Sequence, residues 1–432
     1  MKGLEQRMHD GEAVFGVVGL GYVGLPLAVE MAKAGHRVIG MEVSADKVST
    51  INAGESHVPD VPADEIATLV AAGLLEATAD FSRASECDAI AICVPTPLNE
   101  MKEPDISFME AAARSIAPHL TEGTLITLES TTYPGTTEEV VQPILESCGL
   151  RVGDGLSLAF SPERVDPGNP TFQTRNTPKV VGGVTPRCTQ HAVAFYGRFI
   201  DTVVPVSSTR AAEMTKLLEN IFRCVNIALM NELLQVSDRM GINIWEVVDA
   251  AKTKPFGFMP FQPGPGLGGH CIPIDPFYLS WKARQFDIHA EFIELAGRTN
   301  EAMPYYVTTR LMDALNGHRK SLAGSRVLVL GVAYKANIGD MRESPALKIT
   351  ELLRDKGAEV VYHDPYVPAF DLAGVACASV ELTAEEVESA DAVLIVTDHS
   401  NVDYDLVVRS AQLVLDTRNV LRAFSDEKVV RL

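Results

Sequence analysis

The chain has no CxxC pair, no apolar run long enough to cross a membrane, no short-period repeat and no low-complexity tract. It is also short of positive charge. Each absence removes a class of function. Seven cysteines, scattered and odd in number, support neither a zinc ribbon nor a disulfide framework, so no metal site is expected. They read as reduced thiols in a cytoplasmic protein. Against 57 acidic residues stand 37 lysines and arginines, leaving a formal charge of −20. Such a field repels nucleic acid and anionic membrane, and neither is expected as a partner. A small anionic ligand remains open where basic residues converge. Residues 13–29 are uncharged over 17 positions, but Gly16, Gly19, Gly21, Gly24 and Pro26 interrupt them. The stretch falls short of the roughly 20 residues a spanning helix needs and lacks a clean small-residue cleavage site. What remains is a globular composition, 46% hydrophobic and 22% charged over 432 residues. That length suits about three domains.

Short apolar runs alternate with helical patterns over the first half, which predicts a parallel sheet with crossover helices. Strands are expected at 14–18, 38–42, 88–94, 124–129 and 157–160, and helices at 24–33, 107–117 and 136–148. The run DAIAICV at 88–94 is nearly all apolar, as a strand buried on both faces should be. Near residue 207 the pattern changes. Residues 209–240 hold no Gly or Pro, and Met214, Leu217, Leu218, Ile221, Val225, Ala228 and Leu229 recur at helical spacing. A loop dense in Pro and Gly follows at 255–276, then a second helical stretch at 276–315. Alternation returns near 320, with strands at 327–330, 360–363, 392–396 and 413–416 and a helix at 344–356. The fold class is therefore α/β, then helical, then α/β, with domains at 1–206, 207–317 and 318–432.

Three groups of residues carry chemistry. Gly19-Leu20-Gly21-Tyr22-Val23-Gly24 follows a strand and opens a helix, the context that gives a GxGxxG its meaning. Gly19 permits the tight turn, Gly21 lets a pyrophosphate approach, and Gly24 lets helix and strand pack closely. The pyrophosphate would sit on the helix N-terminus. Glu42, at the end of the second strand, suits both ribose hydroxyls and repels a 2′-phosphate, favouring NAD over NADP. The plainer alternative is a Gly-rich turn beside a solvated Glu. The second group is the loop 263–271, PGPGLGGHC. A cysteine beside amide donors and cations can be held as a reactive thiolate, with His270 as its base. A small buried hydrophobe is the commoner role of a cysteine. It is the expectation for Cys87, Cys93, Cys148, Cys188, Cys224 and Cys377, and a loop histidine that merely packs is equally open. Third, Lys216 and Asn220 share one face of a helix, either as a polar site or as an exposed stripe.

With these motifs on the page, the chain resembles the NAD-dependent nucleotide-sugar 6-dehydrogenases, the family of UDP-glucose dehydrogenase. The resemblance rests on VGLGYVGLPLA at 18–28, ESTTYPGTT at 129–137, SPERVDPGN at 161–169, EMTKLLEN at 213–220, GPGLGGHCIPIDPFYL at 264–279 and GVAYKANIGDMRESPA at 331–346. TKPFGF at 253–258 and CIPIDPFYLSWKAR at 271–284 most resemble the branch acting on UDP-N-acetylglucosamine.

The resemblance implies two Rossmann-like, doubly wound domains joined by a central long-helix domain that also makes a homodimer. It implies a four-electron oxidation of a UDP-sugar at C6, using two NAD⁺ and one water, with products for surface polysaccharide. Cys271 would form a thiohemiacetal and then a thioester. Lys216, Asn220 and Asp275 would surround the reacting oxygen and a water, with Thr131 near the nicotinamide and Glu163 as base for thioester hydrolysis. Gly19, Gly21, Tyr22, Val23, Gly24, Glu42, Pro95, Thr96, Ser130, Thr131 and Arg342 would face NAD. Glu163, Arg164, Lys216, Asn220, Phe261, Gly268, Gly269, Tyr334, Lys335 and Arg418 would face the UDP-sugar.

Two positions depart from the family pattern. Ile274 stands where some members carry Lys, and His270 where others carry Ser. The second α/β region keeps only Gly331 of the glycine fingerprint, so a second NAD site is not expected there. Competing readings are the same reaction on UDP-N-acetylmannosamine, UDP-N-acetylgalactosamine or UDP-glucose, a two-electron β-hydroxyacid dehydrogenase, and a non-catalytic sugar-nucleotide sensor. The second needs neither the cysteine nor the region beyond 320. The third predicts loss of Cys271, Lys216 or Glu163, and all three are present.

Overall fold

A computed structural model describes residues 3–99, 103–166, 168–169, 171–269 and 271–432. His270 therefore lies outside the described residues. The chain divides into two compact units, 1–219 with 281–287 and 220–280 with 288–432.

The first unit is built on eight strands: β1 Val14–Val18, β2 Arg37–Met41, β3 Leu75–Thr78, β4 Ala89–Ile92, β5 Leu125–Leu128, β6 Ser157–Phe160, β7 Lys179–Gly183 and β8 Val203–Pro205. Their order is β3-β2-β1-β4-β5-β6-β7-β8. All neighbours are parallel except β6 and β7. Strand order reverses between β1 and β4, so the loops after these strands open a crevice at their carboxyl ends. The pleat explains the apolar runs. Phe15, Val17, Ala89 and Ala91 enter a core on one face, while Val18, Ile90 and Ile92 enter a core on the other.

The second unit carries a parallel five-stranded sheet: β9 Arg326–Leu330, β10 Glu359–His363, β13 Ala392–Ile395, β14 Val414–Asp416 and β15 Val429–Arg431, in the order β10-β9-β13-β14-β15. A hairpin of β11 Ala369–Leu372 and β12 Val375–Ala378 lies between β10 and β13 in sequence. The two faces again fill separate cores. This is the doubly wound α/β architecture expected for both ends of the chain.

A helix of 32 residues, Thr209–Met240, runs unbroken, and the division between units falls inside it, after Glu219. Three sequence-based spans need correction. The second strand ends at Met41, one residue before Glu42, because that carboxylate accepts from Ser44 N at 3.1 Å and turns the chain. The helix expected at 136–148 is a wide turn, Thr137–Val141, followed by a short helix, Gln142–Glu146. The stretch 276–315 is not continuous. Helix Asp275–Ala283 ends in a short 3₁₀ turn, and Asp287 adopts φ +57°, which a right-handed helix cannot continue. Helix Glu291–Gly317 then begins.

Inside the second unit, Asn231 of the long helix ties three elements together. Its Nδ2 donates to Asn300 Oδ1 at 2.9 Å, and its Oδ1 accepts from Gly264 N at 2.9 Å. Both asparagines are buried. Asn231→Ala should destabilise the protein by about 1–3 kcal/mol, since it strands the Gly264 amide and one side of Asn300. Asn226, half-buried and back-bonded to Phe222 O, should tolerate alanine within about 0.5 kcal/mol. Denaturant midpoints of the two variants check the contrast, and equal midpoints would remove Asn231 from this role.

Candidate active site

In the first unit the three glycines of the fingerprint differ in what holds them. Gly19 has φ +88°, and a Cβ there would lie 2.7 Å from Cys93 O. At Gly24 a Cβ would lie 1.8 Å from Gly19 O. Gly21 has an ordinary φ, and a Cβ there would meet nothing within 4 Å. Packing therefore explains two of the glycines and not the third. Gly21 faces open space, at the N-terminal end of helix Gly24–Lys33, where unpaired amides favour an anion. Tyr22 beside it is half exposed.

Glu42 is not the solvated residue of the plainer alternative. It is 6% exposed, and its carboxylate accepts from Leu20 N at 3.0 Å as well as from Ser44 N. Lys47 Nζ approaches it at 3.6 Å. The loops after β4 and β5 are knitted together beside this edge. Ser130 Oγ accepts from Val94 N at 3.0 Å and donates to Val94 O at 2.7 Å. Thr96 Oγ1 donates to Thr131 O at 2.7 Å. Pro95, Thr96, Ser130 and Thr131 thus belong to one loop pair at the carboxyl ends of the strands.

A second cluster in this unit centres on Glu163, in the loop after β6. Its Oε1 accepts from Arg164 N at 2.7 Å and Val165 N at 2.8 Å. Lys216, on the long helix, donates from Nζ to the Glu163 carbonyl oxygen. Lys216 is 7% exposed, so it is not part of a solvated stripe. Arg164 is fixed by Glu219, at 3.2 and 2.6 Å, and by Pro178 O at 2.6 Å. Three residues that the sequence did not single out complete the cluster. Lys179, at the start of β7, donates to Glu129 Oε2 at 2.7 Å and lies 3.4 Å from Glu163 Oε2. Tyr196 donates to Glu129 Oε1 at 2.6 Å. Burial alone would raise the Glu163 carboxyl, but Lys179, the two amides and Lys216 outweigh it and hold it below the usual range. A fourth, Glu213, also went unread. It accepts from Gly135 N at 2.6 Å and Thr137 N at 3.0 Å, anchoring the STTYPGTT loop to the long helix.

In the second unit, Asn220 Nδ2 donates to Asp275 Oδ2 at 2.6 Å. Asp275 is 3% exposed and opens helix Asp275–Ala283, and its N–H returns to Cys271 O at 2.8 Å. The cysteine is thus set one turn before the helix. Gly268 and Gly269 before it are fixed by the loop after β9: a Cβ would come within 2.6 and 2.9 Å of the Tyr334 side chain, and Gly269 N donates to Arg342 O at 2.9 Å. Gly264 lies against Arg418, whose Nη1 would be 2.9 Å from a Cβ there. Arg418 donates from Nε to Val396 O at 2.8 Å, and burial lowers its pKa against the pull of Asp398 and Asp416. Arg342 is engaged by Asp340 through Nε and Nη2. Phe261 packs edge-on to Phe222 at 5.6 Å. Lys335 is half-buried in the turn after Tyr334.

All seven cysteines are thiols. Five are buried, and burial pushes Cys87 up to about 12 and Cys224 up to about 11, as inert core thiols should be. Cys148 departs from the expectation, being only partly buried at the rim of its core. Cys271 is the other partly exposed thiol.

Three consecutive regions match one family: residues 13–200 its NAD binding domain, 210–302 its central domain and 328–423 its UDP binding domain. The chain belongs to the UDP-glucose/GDP-mannose dehydrogenase family. It is 36% identical over 423 residues to UDP-N-acetyl-D-mannosamine dehydrogenase of Yersinia pestis, covering 94% of this chain and 98% of that one. It is 38% identical over 357 residues to UDP-N-acetyl-D-glucosamine 6-dehydrogenase of Pseudomonas aeruginosa, covering 82% and 83%. The solved UDP-D-ManNAc dehydrogenase of Pyrococcus horikoshii superimposes with a TM-score of 0.89 at 33% identity, over 97% of this chain and 98% of that one. Family members of this type are NAD-dependent nucleotide-sugar dehydrogenases, and NAD is the cofactor here. The residues fit it: the open face at Gly21 suits a pyrophosphate, and the Glu42 carboxylate suits a ribose. No helix among the described residues is long and apolar enough to cross a membrane.

Gly21→Ala separates ligand from packing. It should melt within about one degree of the parent, since the added methyl meets no protein atom. The KM for NAD⁺ should rise at least tenfold, through loss of a close phosphate contact worth about 1.5–3 kcal/mol. An unchanged KM would place the pyrophosphate elsewhere.

Proposed function

We propose that the chain oxidises the C6 alcohol of UDP-N-acetylglucosamine to the carboxylate in two steps, through a thioester on Cys271. The observation that carries this reading is the seating of Cys271: a partly exposed thiol, one turn before the Asn220–Asp275 pair, behind two glycines packed on Tyr334. A two-electron dehydrogenase needs no such thiol. When bound, NAD accepts the hydride of each oxidation.

Lys216 stabilises the oxyanion that develops at C6, and Asn220 and Asp275 hold the water that relays the proton. Thr131 lies on the nicotinamide side. The Cys271 sulfur adds to the aldehyde carbon to give a thiohemiacetal, which is oxidised to the thioester. Glu163 then activates the hydrolytic water. Tyr334, Lys335, Arg418, Phe261, Gly268 and Gly269 receive the UDP-sugar, with Arg164 beside Glu163, and Arg342 serves the NAD side. The functional division is 1–206 for NAD, 207–317 for the cysteine loop and subunit contact, and 318–432 for the UDP moiety.

The sugar is read from the segments TKPFGF and CIPIDPFYLSWKAR and from the relative in Pseudomonas aeruginosa. UDP-N-acetylmannosamine is the second reading, favoured by the relatives in Yersinia pestis and Pyrococcus horikoshii, which match nearly the whole chain. The two sugars differ only at C2. The uronate product would serve surface polysaccharide, made in the cytoplasm by a homodimer. Leu218, Phe222, Leu229, Leu233, Val236 and Met240 are exposed along one face of the long helix and support that contact.

A panel of matched UDP-sugars tests the substrate. UDP-N-acetylglucosamine should give two NADH per sugar and exceed UDP-glucose in kcat/KM by roughly 5- to 150-fold, the effect of leaving an acetamido partner unpaired at about 1–3 kcal/mol. A higher kcat/KM for UDP-N-acetylmannosamine selects the second reading, and parity with UDP-glucose removes the acetamido assignment. Cys271→Ser should make no uronate at a measurable steady-state rate, because a hydroxyl is a far weaker nucleophile near neutral pH. Uronate formation at the parent rate would rule out the covalent route.

A further inference from the structure

One group of buried charges in the first unit has no part in the reaction as set out above. Lys179 lies between two carboxylates, with Glu129 at 2.7 Å and Glu163 at 3.4 Å. Its side chain is 5% exposed and that of Glu129 is fully buried. The Tyr196 hydroxyl holds the far oxygen of Glu129 at 2.6 Å, and the Tyr196 ring lies 5.2 Å below the Lys179 ammonium. Burying an ammonium and a carboxylate this completely costs several kcal/mol per ion, and an apolar pair of similar volume would hold the fold as well or better. A charge kept there calls for a reason outside stability.

The geometry supplies one. Glu163 Oε1 is occupied by its two neighbouring amides, so the carboxylate cannot turn about its own backbone. Lys179 addresses the other oxygen and is itself prevented from swinging by Glu129 and Tyr196. Lys179 stands between the two carboxylates, with Lys216 also drawing on Glu163; burial raises the carboxyl of Glu129, while the surrounding cations and amides lower that of Glu163. A cleft with room for about one water opens against Glu163 and Lys179, walled by Pro162, Thr174, Thr177 and Pro178.

We propose that Lys179, locked by Glu129 and Tyr196, is the positioning residue that fixes and orients the Glu163 carboxylate for thioester hydrolysis. This rests on the thioester reading of Cys271. In the step concerned, the water oxygen bonds to the acyl carbon and one water proton passes to Glu163. The carbon–sulfur bond breaks and Cys271 leaves as thiolate, while the new carboxylic acid loses its own proton to solvent.

Lys179→Met tests this with the full chain, NAD⁺ and whichever UDP-N-acetylhexosamine the parent oxidises. Slow hydrolysis leaves the earlier steps intact. The variant should give a rapid burst of NADH, then a steady rate at least tenfold below the parent, with kcat and KM for the sugar falling together. Intact-protein mass should show the acyl adduct, absent after Cys271→Ser. The acid limb of the kcat profile should move to higher pH, because a cation that favours ionised Glu163 is gone. Glu129→Gln combined with Lys179→Met removes both buried charges and guards against misfolding. It should melt close to the parent and still accumulate the adduct. Parent-like kcat in the double variant, or a slow steady rate with no burst and no adduct, would overturn the proposal. A parent that reduces NAD⁺ with no UDP-sugar would instead overturn the proposed function.

Discussion

Backbone amides at the carboxyl ends of parallel strands must find acceptors, and in both units of this protein a carboxylate from the neighbouring strand end supplies them. Glu42, just after β2, accepts the amide of Leu20 in the loop after β1. Asp364, just after β10, accepts the amides of Val332 and Ala333 in the loop after β9, at 2.7 and 3.1 Å. The two carboxylates differ in what else they must satisfy. Glu42 takes one further amide, from Ser44. Asp364 takes the amides of Tyr366 and Val367 and a ring nitrogen of His399 at 3.0 Å. Its acceptor capacity is spent and it is 2% exposed. Unlike Glu42, Asp364 has no acceptor position left to offer a ribose hydroxyl.

The same arrangement recurs at other loops. Glu213 accepts from Gly135 and Thr137, Glu163 from Arg164 and Val165, and Asp416 from Arg418 and Leu421. Each carboxylate ties down a loop that carries a candidate site residue. These few carboxylates are turned inward onto amides, so their charge is not presented to an anionic ligand. Each unit also holds a candidate cation on a carbonyl, Lys216 on that of Glu163 in the first and Arg418 on that of Val396 in the second. A carbonyl acceptor orients a cation without cancelling its charge.

What could be read from the sequence follows from how local the cause is. Strands β1 and β4 are buried on both faces and appear as unbroken apolar runs, and β5 departs from this only at the buried Thr127. Helix 209–240 appears through spacing alone. Strand β7 was not legible: it begins with Lys179 and ends in Gly182 and Gly183, which argue against a strand by local propensity. Its glycines answer to a tertiary demand, since a Cβ at Gly182 would lie 2.0 Å from Ser208 O and one at Gly183 2.3 Å from Thr189 N. The site divided likewise. Glu42, Lys216, Asn220 and Asp275 sit in spaced motifs and could be named, whereas Lys179 and Glu129 pair across 50 residues and carry no local mark.

The cysteine loop makes the last link between fold and chemistry. Its position is not set by its own sequence, which is too rich in glycine to prefer one conformation. It is set by the loop after β9, through the Tyr334 ring against Gly268 and Gly269 and the Arg342 carbonyl on the Gly269 amide. That loop is in turn held by Asp364 and by the His399 ring, which accepts from Asn337 N at 2.9 Å. The other ring nitrogen lies 3.0 Å from the Asp364 carboxylate, so the imidazole is gripped on both sides. The chain of support therefore runs from a buried Asp–His pair, through the Tyr334–Lys335 turn, to the two glycines before Cys271. Any movement of the loop after β9 must displace the cysteine with it. Within this unit, the loop after β9 and the segment carrying Cys271 are mechanically one piece.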